Sequence, residues 1–110
     1  MAESKSILTE TKKVLGIADE YDVYDEDIIM FINSAFANLH QIMKIADKTL
    51  IIKDKDNRWS EFTTDPTAIS NVKSYVWTYV RVAFDPPSTS FGIDALKTLQ
   101  KELEWRLSVV

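Results

Sequence analysis

A mainly all-α, four-helix bundle-like fold is predicted by three observations. Apolar residues recur at helical spacing in four separate segments, only two glycines interrupt 110 residues, and 45% hydrophobic with 27% charged residues is the balance of one compact domain. The whole of residues 1–110 is expected to form that single domain, with a small β-hairpin or loop between the second and third helices. A domain of this size buries roughly two thirds of its unfolded surface, enough for a core without metal or disulfide staples.

The first helix is expected from about Ser6 to Leu15, with Ile7, Leu8, Thr11, Val14 and Leu15 on one side and Gly16 as its C-terminal stop. An acidic loop follows. Asp25 reads as the N-cap of the second helix, with Glu26 and Asp27 suiting the positive end of its dipole. This helix runs to about Ala46 along a seam of Ile28, Ile32, Ala35, Leu39, Ile42 and Met43, widened by Ile29 and Phe36.

From Thr49 the helical period stops. Leu50-Ile51-Ile52, a charged turn at Asp54 to Asn57, and Arg58-Trp59-Ser60-Glu61-Phe62 read as a hairpin or an ordered excursion. Thr64-Asp65-Pro66 restarts helix, and Ala68, Val72, Tyr75, Val76, Tyr79 and Ala83 form the third seam, widened by Ile69 and Val80. Trp77 and Phe84 lie on its far side, so this helix is apolar over much of its circumference and is the expected centre of the bundle.

Asp85-Pro86-Pro87 ends it, because two prolines cannot continue the hydrogen-bond ladder and push the preceding residue out of the helical region. Ser88 or Ser90 is expected to cap the last helix, whose seam is Leu96, Leu99, Leu103 and Leu107. At about 100° per residue, Phe91, Trp105 and Val109 fall near the opposite side with Thr98 and Glu102. Large apolar groups on two sides of a terminal helix call for two partners, the core and another chain.

Charge and chemistry exclude more than they assign. A net charge of −4 is unlike the basic stripe of nucleic-acid binders. The start lacks an apolar signal core and the longest apolar run, Ile28 to Ile32, is far too short to cross a bilayer, so a soluble protein is expected. Without cysteine there is no disulfide framework, thiolate metal site or thiol nucleophile. His40 has no second base, nucleophile or ligand at a useful spacing, and neither acidic stretch alternates oxygen ligands with a turn glycine as a calcium loop does. No catalytic residue, metal ligand or cofactor is therefore expected.

The charges are segregated. Asp19, Glu20, Asp22, Asp25, Glu26 and Asp27 form one run, whereas Lys44, Lys48, Lys53, Lys55 and Arg58 gather in the middle. Two such patches can pair within a subunit, be solvated, or meet head to tail between identical subunits. Asp19, Glu20, Asp22, Lys53, Lys55, Arg58, Trp59, Phe91, Trp105 and Val109 are accordingly the expected subunit or partner contacts, although Trp59 and Phe62 also suit a loop tucked onto the bundle.

The element order resembles a known family at specific phrases. Asp25-Glu26-Asp27-Ile28-Ile29 with Ile32-Asn33-Ser34-Ala35-Phe36, the junction Val80-Arg81-Val82-Ala83-Phe84-Asp85-Pro86-Pro87, and Glu102-Leu103-Glu104-Trp105-Arg106-Leu107 look like the head-tail connector, or adaptor, proteins of long-tailed bacteriophages and prophages. The similarity runs from about Ile7 to Leu107, with Phe84, Asp85, Pro86, Pro87, Ser90, Phe91, Trp105, Arg106 and Leu107 as motif positions, and departs from the family in having no glycine between Asp54 and Asn57. The resemblance implies a non-enzymatic virion protein that docks on the portal at the capsid vertex. It implies a twelve-fold ring there, meeting a stopper or tail-completion protein and passing DNA without specific binding, after assembly in the host cytoplasm. The alternative reading of the residues is a small helical interaction module or regulator that forms a dimer or heterodimer.

Overall fold

In a computed structural model of the chain, residues 5–43 and 50–109 are described. Four helices follow in order, α1 at Ile7–Leu15, α2 at Asp25–Met43, α3 at Pro66–Phe84 and α4 at Ser90–Ser108. As expected, α3 is central and packs along both α2 and α4. The end foreseen for α2 near Ala46 lies outside the described residues, as do Lys44 and Lys48.

Local chemistry sets the helix ends. Ser6 Oγ accepts from Thr9 N at 3.2 Å to start α1. Gly16, at φ 79°, closes it in a Schellman motif, its N–H donating to Lys13 O and that of Ile17 to Lys12 O. Asp25 is the first residue of α2 rather than its N-cap, and Ile28 N donates to the Tyr24 carbonyl at 2.9 Å. Asp65 caps α3 by accepting from Thr67 N, with Pro66 in the first turn. Thr89, not Ser88 or Ser90, caps α4 through its Oγ1, which accepts from Gly92 N at 3.0 Å.

The core takes Ile7 and Leu8 from α1, Ile28, Ile32, Ala35, Phe36 and Leu39 from α2, Val72, Tyr75, Val76 and Val80 from α3, and Leu103 and Leu107 from α4. Three expected seams shift at their edges. On α1, Val14 is exposed and Lys12 is buried instead, because the acidic loop returns over that side and supplies oxygens for the ammonium. On α3, Ala83 is exposed at the end of the helix, and on α4 Leu99 is exposed while Leu96 is half-buried. α4 packs chiefly against α3 and to a lesser degree against α2.

Of the two forms expected for the middle segment, the loop is the one that forms. Among the described residues Leu50–Ile52 finds no strand; Asn33 of α2 takes that role, its Oδ1 accepting from Ile52 N at 2.8 Å and its Nδ2 donating to Ile52 O at 3.2 Å. The returning limb pairs instead with the entry to α1, where Ser6 and Arg58 form an isolated antiparallel bridge and Ile7 N donates to Asn57 O at 3.1 Å. Asn57 Oδ1 accepts from Lys53 N and Asp54 Oδ1 from Asp56 N, so side-chain carbonyls hold a turn that has no glycine. A single 3-10 turn, Trp59–Glu61, follows.

Candidate assembly surface

The outer face of α4 begins at the junction that precedes it. Arg81 Nε donates to Asp85 O at 2.8 Å, Asp85 N donates to Arg81 O, and Pro86-Pro87 turns the chain. A Cβ on Gly92 would stand 2.8 Å from Pro87 Cβ, so only glycine lets the new helix start so near the prolines. With Leu103 and Leu107 turned into the core, Phe91, Trp105 and Val109 are left on the far side, 84%, 67% and 64% exposed. They span most of a helix of 19 residues, about 28 Å long at 1.5 Å per residue. Ser90 starts the helix, and Arg106 pairs with Glu102 one turn earlier on its surface.

The acidic stretch is a loop held at both ends. Lys12 Nζ donates to Asp19 O at 2.8 Å and lies 2.8 Å from Asp25 Oδ1, an ion pair rather than a directed hydrogen bond. Thr9 Oγ1 donates to Asp19 Oδ1 at 3.0 Å, and this bond, aided by Lys55, holds the Asp19 carboxyl below its usual range. Beneath the loop, the Tyr24 ring meets Phe84 edge-on at 5.3 Å, and Phe84 meets Phe31 at 6.4 Å. Glu20, Tyr21, Asp22 and Val23 project outward from this frame, all exposed.

Two expected contacts need correction. Lys55 Nζ pairs with Asp19 Oδ2 at 3.4 Å in the same chain, so part of the opposite charge expected between subunits is matched within one, leaving Lys53 and Arg58 as exposed basic residues of that segment. Trp59 is 1% exposed and cannot be a surface contact in this fold. Its indole N–H donates to Glu10 Oε1 at 2.8 Å, its ring packs against Phe36 and Trp77, and Lys73 Nζ lies 5.6 Å from the ring centroid. Of the two placements the sequence allowed for Trp59, the loop tucked onto the bundle is the one that forms, and it satisfies both the ring and the N–H of this side chain.

Several surface features have no counterpart in the sequence reading. A groove of about 410 Å³ runs between the end of α3 and α4, walled by Tyr79, Val82 and Ala83 on one side and Lys97, Gln100, Lys101 and Glu104 on the other. Glu104 is engaged at its inner edge, its Oε2 accepting from the Tyr75 hydroxyl at 3.1 Å. Burial first and the Glu104 charge second push the Tyr75 phenol up to about 12. A second, shallow trough lies on the outer face of α2, where Met30 and Ile51 are exposed beside Ile29 and Ala37. Ile51 was legible: alternation along Leu50-Ile51-Ile52 places it opposite Ile52, which is buried. Tyr21 and Val23 were masked by the carboxylates around them.

Among the described residues there is no group of three or more His, Cys, Asp or Glu arranged to hold a metal ion, and no helix is long and apolar enough to cross a membrane. His40 is half-buried on α2. A model of the family described as phage connector protein matches residues 7–110. No curated protein and no solved structure matches the chain.

Proposed function

The chain belongs to the phage connector protein family, and on that premise we propose that it is a head-tail adaptor, a structural protein of the virion acting as one domain over residues 1–110. It docks on the portal protein at the capsid vertex and forms a ring there, twelve-fold like the portal, that extends the DNA channel toward a stopper or tail-completion protein. DNA passes without specific binding, in keeping with a subunit of net charge −4. Assembly takes place in the host cytoplasm, and the role calls for no catalysis and no cofactor.

One observation carries this reading. The last helix already meets its own core through Leu103 and Leu107, yet holds Phe91, Trp105 and Val109 on the other face, the arrangement of a subunit with a second surface to cover. A closed ring uses a heterologous interface, in which one patch meets a different patch on the next copy. The exposed charges Glu20, Asp22, Lys53 and Arg58 are available as polar contacts between copies.

Electron microscopy of the purified protein mixed with portal protein, with and without Trp105→Ala, tests it. The wild type is expected to decorate the portal as a ring. The variant should lose on the order of 2 kcal/mol or more of association while keeping its helix content. A wild-type chain that never joins portal protein would overturn the assignment.

A further inference from the structure

We infer that the groove between α3 and α4 receives the Glu20–Tyr24 loop of a second copy of this chain, an inference that rests on the self-assembly just proposed. The groove, about 410 Å³, is roomy enough to receive a bulky side chain. Its floor is apolar, from Tyr79, Val82 and Ala83, and its α4 wall carries Lys97 and Lys101, whose aliphatic stems extend that floor while their ammonium groups stay in water. Glu104 is the one acid on the wall, set against two lysines and turned inward to accept from the Tyr75 hydroxyl, so the groove carries a net positive charge.

The loop is the complement of this recess in shape and charge. Glu20, Tyr21, Asp22 and Val23 alternate acid with apolar group, and all four are exposed. The acids that flank them are not available in the same way: Asp19 is held by Thr9 and Lys55, and Asp25 by Lys12. Tyr21 enters between Val82 and Ala83, with Glu20 and Asp22 against Lys97 and Lys101. Because Lys12 ties both ends of the loop, little ordering cost attends docking.

Loop and groove are different patches of one chain, so their contact is heterologous and passes head to tail from copy to copy. The other exposed bases named above fit less well. Lys53 and Arg58 stand on a charged turn and line neither of the two grooves described, and Lys55 is already paired with Asp19.

Charge reversal at both surfaces gives the test, read by sedimentation velocity over a concentration series, free and in the presence of portal protein. One variant carries Lys97→Glu with Lys101→Glu, the other Glu20→Lys with Asp22→Lys. Each alone brings like charges together and should associate at least about tenfold more weakly than wild type. An equimolar mixture should regain association, because every contact between unlike variants is again opposite in sign. Tyr21→Ala, which leaves all charges in place, should weaken association as well, and circular dichroism should find every variant folded. Association of either reversed variant at wild-type strength, or a mixture no better than its components, overturns the loop-and-groove contact alone. A wild-type chain that stays monomeric both free and on portal protein removes the self-assembly reading and this inference with it.

Discussion

Lys12 is buried to 1% exposure and its ammonium lies 2.8 Å from the Asp25 carboxylate, so a charge from the first helix is spent on fixing the start of the second. The same nitrogen donates to the Asp19 carbonyl at 2.8 Å, which makes one side chain the bracket for the whole acidic loop. Lys12→Met keeps the stem and removes the charge. It leaves Asp25, which is partly open to water, without its partner, and should cost about 2–3 kcal/mol of stability. Chemical denaturation measures this, and amide exchange across residues 19–25 should quicken in the variant.

Two tryptophans should respond oppositely to truncation. Trp59→Ala removes a fully buried ring and its bond to Glu10, and should cost about 3–5 kcal/mol. Trp105→Ala, on the surface of the isolated chain, should change stability by less than about 0.5 kcal/mol. Paired thermal melts of the two variants check the contrast.

Alkaline titration should find one reluctant phenol. Tyr75 in the folded chain is pushed up to about 12, from the ordinary phenol value of 10.0. A raised acid contributes stability that is complete below pH about 10 and lost as pH rises through about 12. Tyr75→Phe should abolish that ionisation in an absorbance titration and flatten the loss of stability over this window.

At the acid end the sign reverses. Asp19 is depressed below 3.8, chiefly by the Thr9 hydroxyl, so its contribution is present above that value and lost as pH falls through the folded-state pKa. Thr9→Val removes the donor, and carboxyl chemical shifts followed by NMR should place the Asp19 midpoint higher in the variant than in wild type.

Gly16 tests backbone strain in isolation. Its φ is 79°, and an added Cβ would meet nothing within 4 Å, so Gly16→Ala carries only the conformational penalty of the left-handed region, about 1 kcal/mol. Gly92→Ala should disturb more, since its methyl meets Pro87 and the Thr89 cap. Thermal melts rank the two.

The helices were legible because each carries a stripe at helical period, with Gly16 stopping the first and Asp85-Pro86-Pro87 the third. So was the outward line of Phe91, Trp105 and Val109, which follows from projecting one helix. What stayed hidden depends on distant partners. Nothing near Lys12 in sequence announces a carbonyl seven residues on that will accept from it, nor an aspartate that waits at the next helix. Trp59 is buried by groups from three helices, the acceptor of its indole N–H lying 49 residues away in sequence. Leu50-Ile51-Ile52 looks like half of a hairpin because an asparagine side chain standing in for a strand leaves no periodic trace.

The way Trp59 is seated also separates two tasks in the molecule. Its ring system joins the first three helices through Glu10, Phe36 and Trp77, whereas the fourth helix reaches the interior through Leu103 and Leu107. The outward residues Phe91, Trp105 and Val109 take no part in either arrangement, so that face can be altered to suit a different neighbour without rebuilding the interior.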